Sequence, residues 1–173
     1  MITIREATID DLQTLQAIGI ETYKEHFSDI WTDAGLQTFL SEDFSACKLQ
    51  KSIESPTHHC WLIALNEKEE AVGFSKVNWS KPIPMSDQIG AELQKIYFLK
   101  SQAGKGYGKQ LLQFIQDAAQ NRNEGFLWLD VLKTNSNAQR FYESCGFRAL
   151  GEIPFSTDKA EIGMIVMCHD LSR

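Results

Sequence analysis

Apolar positions along the chain switch between two periods, and the switches divide it into helical and extended stretches. Ile2 to Glu6 has the make-up of a short strand, and Thr8 with Asp11 three residues on resembles a capping box. The stripe Leu12, Leu15, Ile18, Tyr23 then predicts a helix from about Ile9 to His26. Leu36, Phe39 and Leu40 predict a second helix over Asp33–Phe44, and Ser45 is placed to cap a short third one through Ser52. The N-terminal third is therefore mainly helical.

The remainder reads differently. HHCWLIAL and AVGFSKVNW are strand-like runs on either side of the charged turn NEKEE, which predicts an antiparallel hairpin. KPIPMSDQIG, with two of the four prolines, reads as a loop. A strand over Glu92–Leu99 leads into SQAGKGYGKQLL, where Gly104, Gly106 and Gly108 alternate. Leu111, Leu112, Phe114, Ile115, Ala118 and Ala119 follow at helical spacing, and FLWLDVL is a buried strand. Ala138, Phe141, Tyr142 and Cys145 mark one face of a short helix that stops at Gly146, and FRALGEI and EIGMIVMCHDL close the chain as strands. This succession predicts an α/β (α+β) fold on a mixed sheet, because hairpins flank the crossover. With no internal repeat or low-complexity linker, residues 1–173 are expected to form one domain.

Composition adds bounds. A chain of 173 residues with 43% hydrophobic positions can bury a sizeable core. Its 17 Lys and Arg against 23 Asp and Glu give a net charge of -6, which disfavours nucleic acid and mildly favours cationic partners. No apolar run is long enough for a membrane span, and MITIREATID is acidic where a signal peptide is basic, so a cytoplasmic location without membrane association is expected. Cys47, Cys60, Cys145 and Cys168 are widely spaced and form no CxxC pair, which argues against a disulfide framework. His58, His59 and Cys60 are adjacent on a predicted strand, point alternately to opposite faces and make poor co-ligands, so no metal site is expected.

The glycine turn, between strand and helix, has the form of an anion cradle made of backbone amides. It is not a Walker A loop, which needs G-x-x-x-x-G-K-S/T: Ala103 stands at the first glycine and Gln110 at the magnesium-binding hydroxyl. It misses the dinucleotide fingerprint too, with Lys109 at the third glycine, although Asp130 lies at a strand end roughly 20 residues on as that motif requires.

LQKIYFL, AGKGYGK and the helix after them resemble the acetyl-CoA motif of the GNAT N-acetyltransferase superfamily, written Gln/Arg-x-x-Gly-x-Gly/Ala, with Gly106 and Gly108 at its small positions. Ala103 departs from it, standing where Gln or Arg is usual. VLKTNSNAQRFYESCGF matches a second signature of the family at Val131, Asn135, Ala138, Phe141, Tyr142, Gly146 and Phe147, in the family's order. The opening ATIDDLQTLQAIGIETYKEHF, WLIALNEKEEAVGFSKVNW and LQKIYF further resemble the PaiA-type polyamine N-acetyltransferases.

The resemblance implies a twisted, mostly antiparallel sheet of about six or seven strands, splayed between strand 92–99 and strand 126–132. It implies acetyl-CoA as co-substrate, its pyrophosphate on the amides of Gly104, Lys105, Gly106, Tyr107, Gly108 and Lys109, and its arm on the backbone of Ile96, Tyr97 and Phe98. Asn135 and Asn137 become partners of that arm, and Tyr142 the general acid for the departing thiolate. An amine with a pKa near ~10.4 is almost wholly protonated at neutral pH, so a base is needed. Family members often carry a Glu here; Gln94 cannot serve, and Glu92 lies two residues back on the same strand face. Glu21, Tyr23 and His26 are candidates to hold a small cationic amine, spermidine or spermine by the closer resemblance. A catalytically weak CoA-binding regulatory module, another amine acceptor (antibiotic, amino acid or protein N-terminus), and a homodimer through an apolar edge of the closing strands all stay open.

Overall fold

The computed structural model describes residues 1–172. In chain order the elements are β1 (Thr3–Glu6), α1 (Leu12–Phe27), α2 (Asp33–Asp43), α3 (Ala46–Ile53), β2 (His59–Leu65), β3 (Ala71–Pro82), β4 (Ile89–Phe98), α4 (Tyr107–Asn121), β5 (Phe126–Leu132), α5 (Ser136–Ser144), β6 (Arg148–Ile153) and β7 (Met164–Asp170). The strands form one seven-stranded sheet in the order β1-β2-β3-β4-β5-β7-β6. Every neighbouring pair is antiparallel except β4 with β5.

The capping chemistry foreseen at the helix starts is present. The Asp11 carboxylate accepts the Thr8 N–H at 2.8 Å and is gripped by both Arg5 guanidinium nitrogens at 2.8 Å, which holds its carboxyl below the usual range against the cost of burial. Residues Ile9–Asp11 are a 3-10 turn, so α1 starts later than its apolar stripe suggests. Thr32 and Ser45 accept the N–H groups of Gly35 and Lys48 at the starts of α2 and α3.

Helices α1, α2 and α3 cover one face of the sheet, packing Leu15, Ile18, Leu40, Phe44 and Leu49 on Trp61, Ile63 and Phe74. Helix α4 covers the other, with Leu111, Leu112 and Ile115 on Leu62, Val77, Leu93, Leu127 and Leu129; α5 adds Phe141 and Tyr142 to that side. Alternate residues of each strand serve the two cores.

Two expectations are corrected. The proline-containing stretch is not all loop: Lys81 pairs with Gly90 and Pro82 with Ile89, because a proline at the last position of a strand forfeits no interior ladder bond. The closing strands leave no apolar edge, since β7 lies inside the sheet and the edge strand β6 exposes Arg148, Ala149 and Glu152. No helix among the described residues is long and apolar enough to cross a membrane.

Gly19 lies in the middle of α1, where its lack of a side chain admits the ring of the buried Phe44; an added Cβ would run into that ring. Helix propensity alone would make Gly19→Ala stabilising by about 1 kcal/mol. Overpacking against Phe44 costs about 1–3 kcal/mol and reverses the sign. Chemical denaturation should therefore show a lower midpoint for Gly19→Ala; a raised midpoint would mean that the ring moves aside freely.

Candidate active site

Strands β4 and β5 are in register at only two places, Ala91 with Leu127 and Glu92 with Trp128. Past Glu92 they part. Beside β3 the same strand carries one extra residue, Gln94, between the pairs Lys76–Lys95 and Val77–Leu93, and this bulge bends it at the point of parting. The gap opens into a cavity of about 730 Å3. Its walls are β4 from Leu93 to Phe98, β5 from Leu129 to Leu132, residues of α1 and α2, Asn135 at the start of α5, Ala138 and Tyr142 within it, and Phe155 and Met164 from the far end of the sheet.

Hydrogen-bond alternation decides which backbone groups of β4 face this gap. Leu99 N–H donates to the Val72 carbonyl at 3.0 Å, so Leu99 and Tyr97 are the residues bonded to β3. The N–H and C=O groups of Ile96 and Phe98 then point away from β3, into the opening. Apart from the Phe98 carbonyl, which His26 Nε2 reaches at 2.7 Å, they form a free strand edge that suits an extended amide-bearing chain. The Tyr97 backbone, expected to join them, is instead committed to Phe74; its side chain lines the cavity.

Beyond β4, Gly104 and Gly106 have φ of +78° and +75°, in the left-handed region, with nothing within 4 Å of where a Cβ would stand. Gly106 is the residue that turns the chain into α4, leaving the first amides of that helix without intrahelical acceptors. Gly108 is less constrained, its nearest Cβ contact being Phe141 at an ordinary 3.8 Å. Lys105 Nζ reaches Gln102 Oε1 at 3.3 Å and lies 5.9 Å from the Tyr107 ring, and Lys100 and Ala103 carry the turn to the cavity wall. The free strand edge, the open turn and the room between them fit acetyl-CoA, the edge for its amide-bearing arm and the turn for its pyrophosphate.

Tyr142 packs on Phe141 and Phe147 and faces the cavity from the α5 side. Burial, and then Cys145, push its phenol above the ordinary range, so it keeps its proton through neutral pH. Tyr97 approaches from the opposite sheet face, among Tyr23, Phe27 and His26. Its phenol is pushed up as well, by burial first and then by Tyr142, which lines the same cavity. Asn135 caps α5 by accepting the Ala138 N–H at 3.1 Å, and its amide lines the cavity.

Several expected residues take other places. Asn137 is exposed and holds Arg140 at 2.5 Å, away from the cavity lining. Glu21 points to solvent, because two residues along a helix is more than half a turn and Tyr23 takes the inward position. Tyr23 does line the cavity, and its hydroxyl accepts Trp31 Nε1–H at 3.1 Å. His26 lines it too, with Nε2 2.7 Å from the Phe98 carbonyl. Glu92 stays outside the lining: the buried Asn78, with its oxygen on His59 Nδ1, donates to both Glu92 Oε1 (2.9 Å) and Gln94 Oε1 (3.0 Å). That contact leaves Gln94 to present its amide N–H groups.

The walls also hold residues that sequence reasoning missed. Asp43, at the end of α2, meets Lys95 at 2.5 Å and Lys48 at 3.2 Å; burial opposes its ionisation, but the two lysines prevail and hold its carboxyl low. Asp130 lines the cavity from β5, and it is the one charge in the otherwise apolar FLWLDVL, a signal that was there to be read. On the far side, Thr32 N–H donates to Asp158 Oδ1 at 3.0 Å and Thr157 Oγ1 to the Ile30 carbonyl at 2.6 Å, tying the α1–α2 junction to the segment between β6 and β7. Among the described residues no group of three or more His, Cys, Asp or Glu is placed to hold a metal ion.

This geometry has a known kin. Residues 20–147 match the model of the acetyltransferase (GNAT) family, and the chain belongs to it: it is an N-acetyltransferase that draws on acetyl-CoA. The chain is 28% identical over 155 residues to an uncharacterized N-acetyltransferase in the pepI 3' region of Lactobacillus delbrueckii subsp. lactis, covering 89% of this chain and 88% of that one. It is 31% identical to the uncharacterized N-acetyltransferase YycN of Bacillus subtilis, over 79% and 89% of the two chains. Its fold is similar to that of the PaiA N-acetyltransferase of Thermoplasma acidophilum in complex with coenzyme A, with a TM-score of 0.81 at 22% identity, over 98% of this chain and 99% of that one.

A side chain at position 106 would be strained by the left-handed φ and would fill the open space above the turn, the space a pyrophosphate held by these amides would need. Gly106→Val should weaken acetyl-CoA binding at least about tenfold in calorimetry, since losing even one charge-assisted hydrogen bond costs about 1.5–3 kcal/mol. Unchanged affinity would place the pyrophosphate elsewhere.

Proposed function

We propose that this acetyltransferase acts on a primary amine of a small cationic molecule, a polyamine such as spermidine or spermine, by direct attack in a ternary complex. The observation that carries the reading is the cavity itself, which runs through the sheet from Tyr142 on the α5 side to the walls that α1 and α2 build on the other. Donor and acceptor can then meet at the parting of β4 and β5 without a covalent intermediate, and no cysteine is among the lining residues.

The acceptor side supports a cationic, partly apolar guest. Tyr23, Phe27, Phe39 and Tyr97 offer aromatic faces to alkyl segments and ammonium groups, and Asp130 adds a carboxylate. The net charge of -6 and the similarity to the PaiA enzyme point the same way. In the reaction, Ile96 and Phe98 pair with the cofactor arm, Asn135 offers its amide to it, and Tyr142 gives its proton to the leaving thiolate.

Thiol release from acetyl-CoA, measured with spermidine, spermine, a streptothricin-type antibiotic, amino acids and N-terminal peptides, tests this directly. Polyamines are expected to give the highest kcat/KM. Preference for another amine would overturn the polyamine assignment, and no turnover despite tight acetyl-CoA binding would favour a regulatory CoA-binding module. Tyr142→Phe should lower kcat about 100-fold, in the range of general acid catalysis, with acetyl-CoA affinity unchanged. Collapse of that affinity would make Tyr142 a packing residue.

A further inference from the structure

Three carboxylates stand close enough to the parting strands to receive a proton from an amine, and the structure treats them differently. Asp43 lines the cavity but is occupied by two lysines. Glu92 is held by Asn78 and is not part of the lining. Asp130 lines the cavity and makes no hydrogen bond or ion pair among the described residues.

Its position follows from the register of β5. Leu129 and Val131 point into the core beneath α4, so Asp130 points to the opposite face, the side of α1 and α2. It lies two residues past the Glu92–Trp128 pair, where the strands have just separated. Its backbone stays in register with Val166 on β7, which fixes the carboxylate on a rigid strand at the edge of the opening. Tyr97 and Glu92 of β4 are the titratable groups that sense it, Lys95 and Asp43 line the same cavity, and among the described residues no Lys or Arg forms an ion pair with it.

We propose that Asp130 is the catalytic base of this chain, accepting the proton that the acceptor ammonium must lose before it attacks. The inference rests on the acetyl-transfer reading above. Asp130 keeps solvent access as a residue, yet desolvation at the cavity wall, and secondarily Glu92, raise its carboxyl above the ordinary range, which makes it a better proton acceptor than an unperturbed aspartate. An ammonium gives one proton to Asp130, and the nitrogen lone pair forms the C–N bond to the thioester carbonyl carbon. The C–S bond then breaks, its electron pair leaving on sulfur, and the thiolate takes the Tyr142 proton. The second proton lost by nitrogen restores Tyr142, and Asp130 returns its own to water, so the balance is amide, free thiol and one released proton.

A base is needed only where the amine arrives protonated, and that separates catalysis from mere support of the fold. Wild type, Asp130→Asn and Glu92→Gln are compared with two acceptors, spermidine and a small alkoxyamine that is neutral at the assay pH, with acetyl-CoA affinity and the unfolding midpoint measured alongside. Asp130→Asn is expected to lose about 100-fold in kcat with spermidine while keeping alkoxyamine turnover within about threefold and acetyl-CoA affinity intact; Glu92→Gln stays near wild type with both. Equal losses with both amines would make Asp130 a structural or binding residue and overturn the proposal, as would wild-type rates with spermidine. A Glu92→Gln variant that shows the selective loss instead would move the base to β4. Wild type inert towards both amines would overturn the acetyl-transfer reading and this proposal with it.

Discussion

Everything at this site depends on β4 and β5 running parallel without staying paired. Parallel strands joined by a crossover helix normally continue their ladder, yet here the register ends after two residues. The Gln94 bulge bends β4 at that point, and the two strands are tied down on their outer sides, β4 to β3 and β5 to β7. The unmet hydrogen-bonding capacity of the Ile96 backbone and of the Phe98 N–H is therefore a consequence of topology. An unpaired, half-buried strand edge invites a partner, and an extended amide-bearing chain suits this one.

The same parting divides the chemistry between two faces. The turn at Gly104–Gly106, α4, α5 and Tyr142 lie on one side, which offers helix-terminal amides and a phenol that keeps its proton. The aromatic cluster of Tyr23, Phe27, Phe39 and Tyr97 lies on the other, with Asp130 facing it from β5. Tyr97 and Tyr142 line the one cavity from these two sides.

Much of this was legible before the structure. The period changes located β5 at its observed bounds, and the two signatures around Gly106 and Tyr142 named the donor. What stayed hidden depends on relations that a linear pattern does not carry. The phase of β4 against β3, set by Leu99 and Val72, decides that Ile96 and Phe98 rather than Tyr97 offer backbone to the gap. The rotation of α1 sends Glu21 outward, and Asn78, distant in sequence, removes Glu92 from use. Asp130 had drawn notice only as a ribose ligand in a motif the chain lacks; its meaning depends on where β4 leaves β5.

Amide hydrogen exchange, read residue by residue by NMR with and without acetyl-CoA, tests the central claim most directly. The Ile96 and Phe98 amides and those of the turn from Gly104 to Lys109 are expected to gain protection on binding, while the Tyr97 amide, already bonded to β3, is protected from the start. Protection that appears elsewhere, with Ile96 and Phe98 exchanging as before, would contradict it.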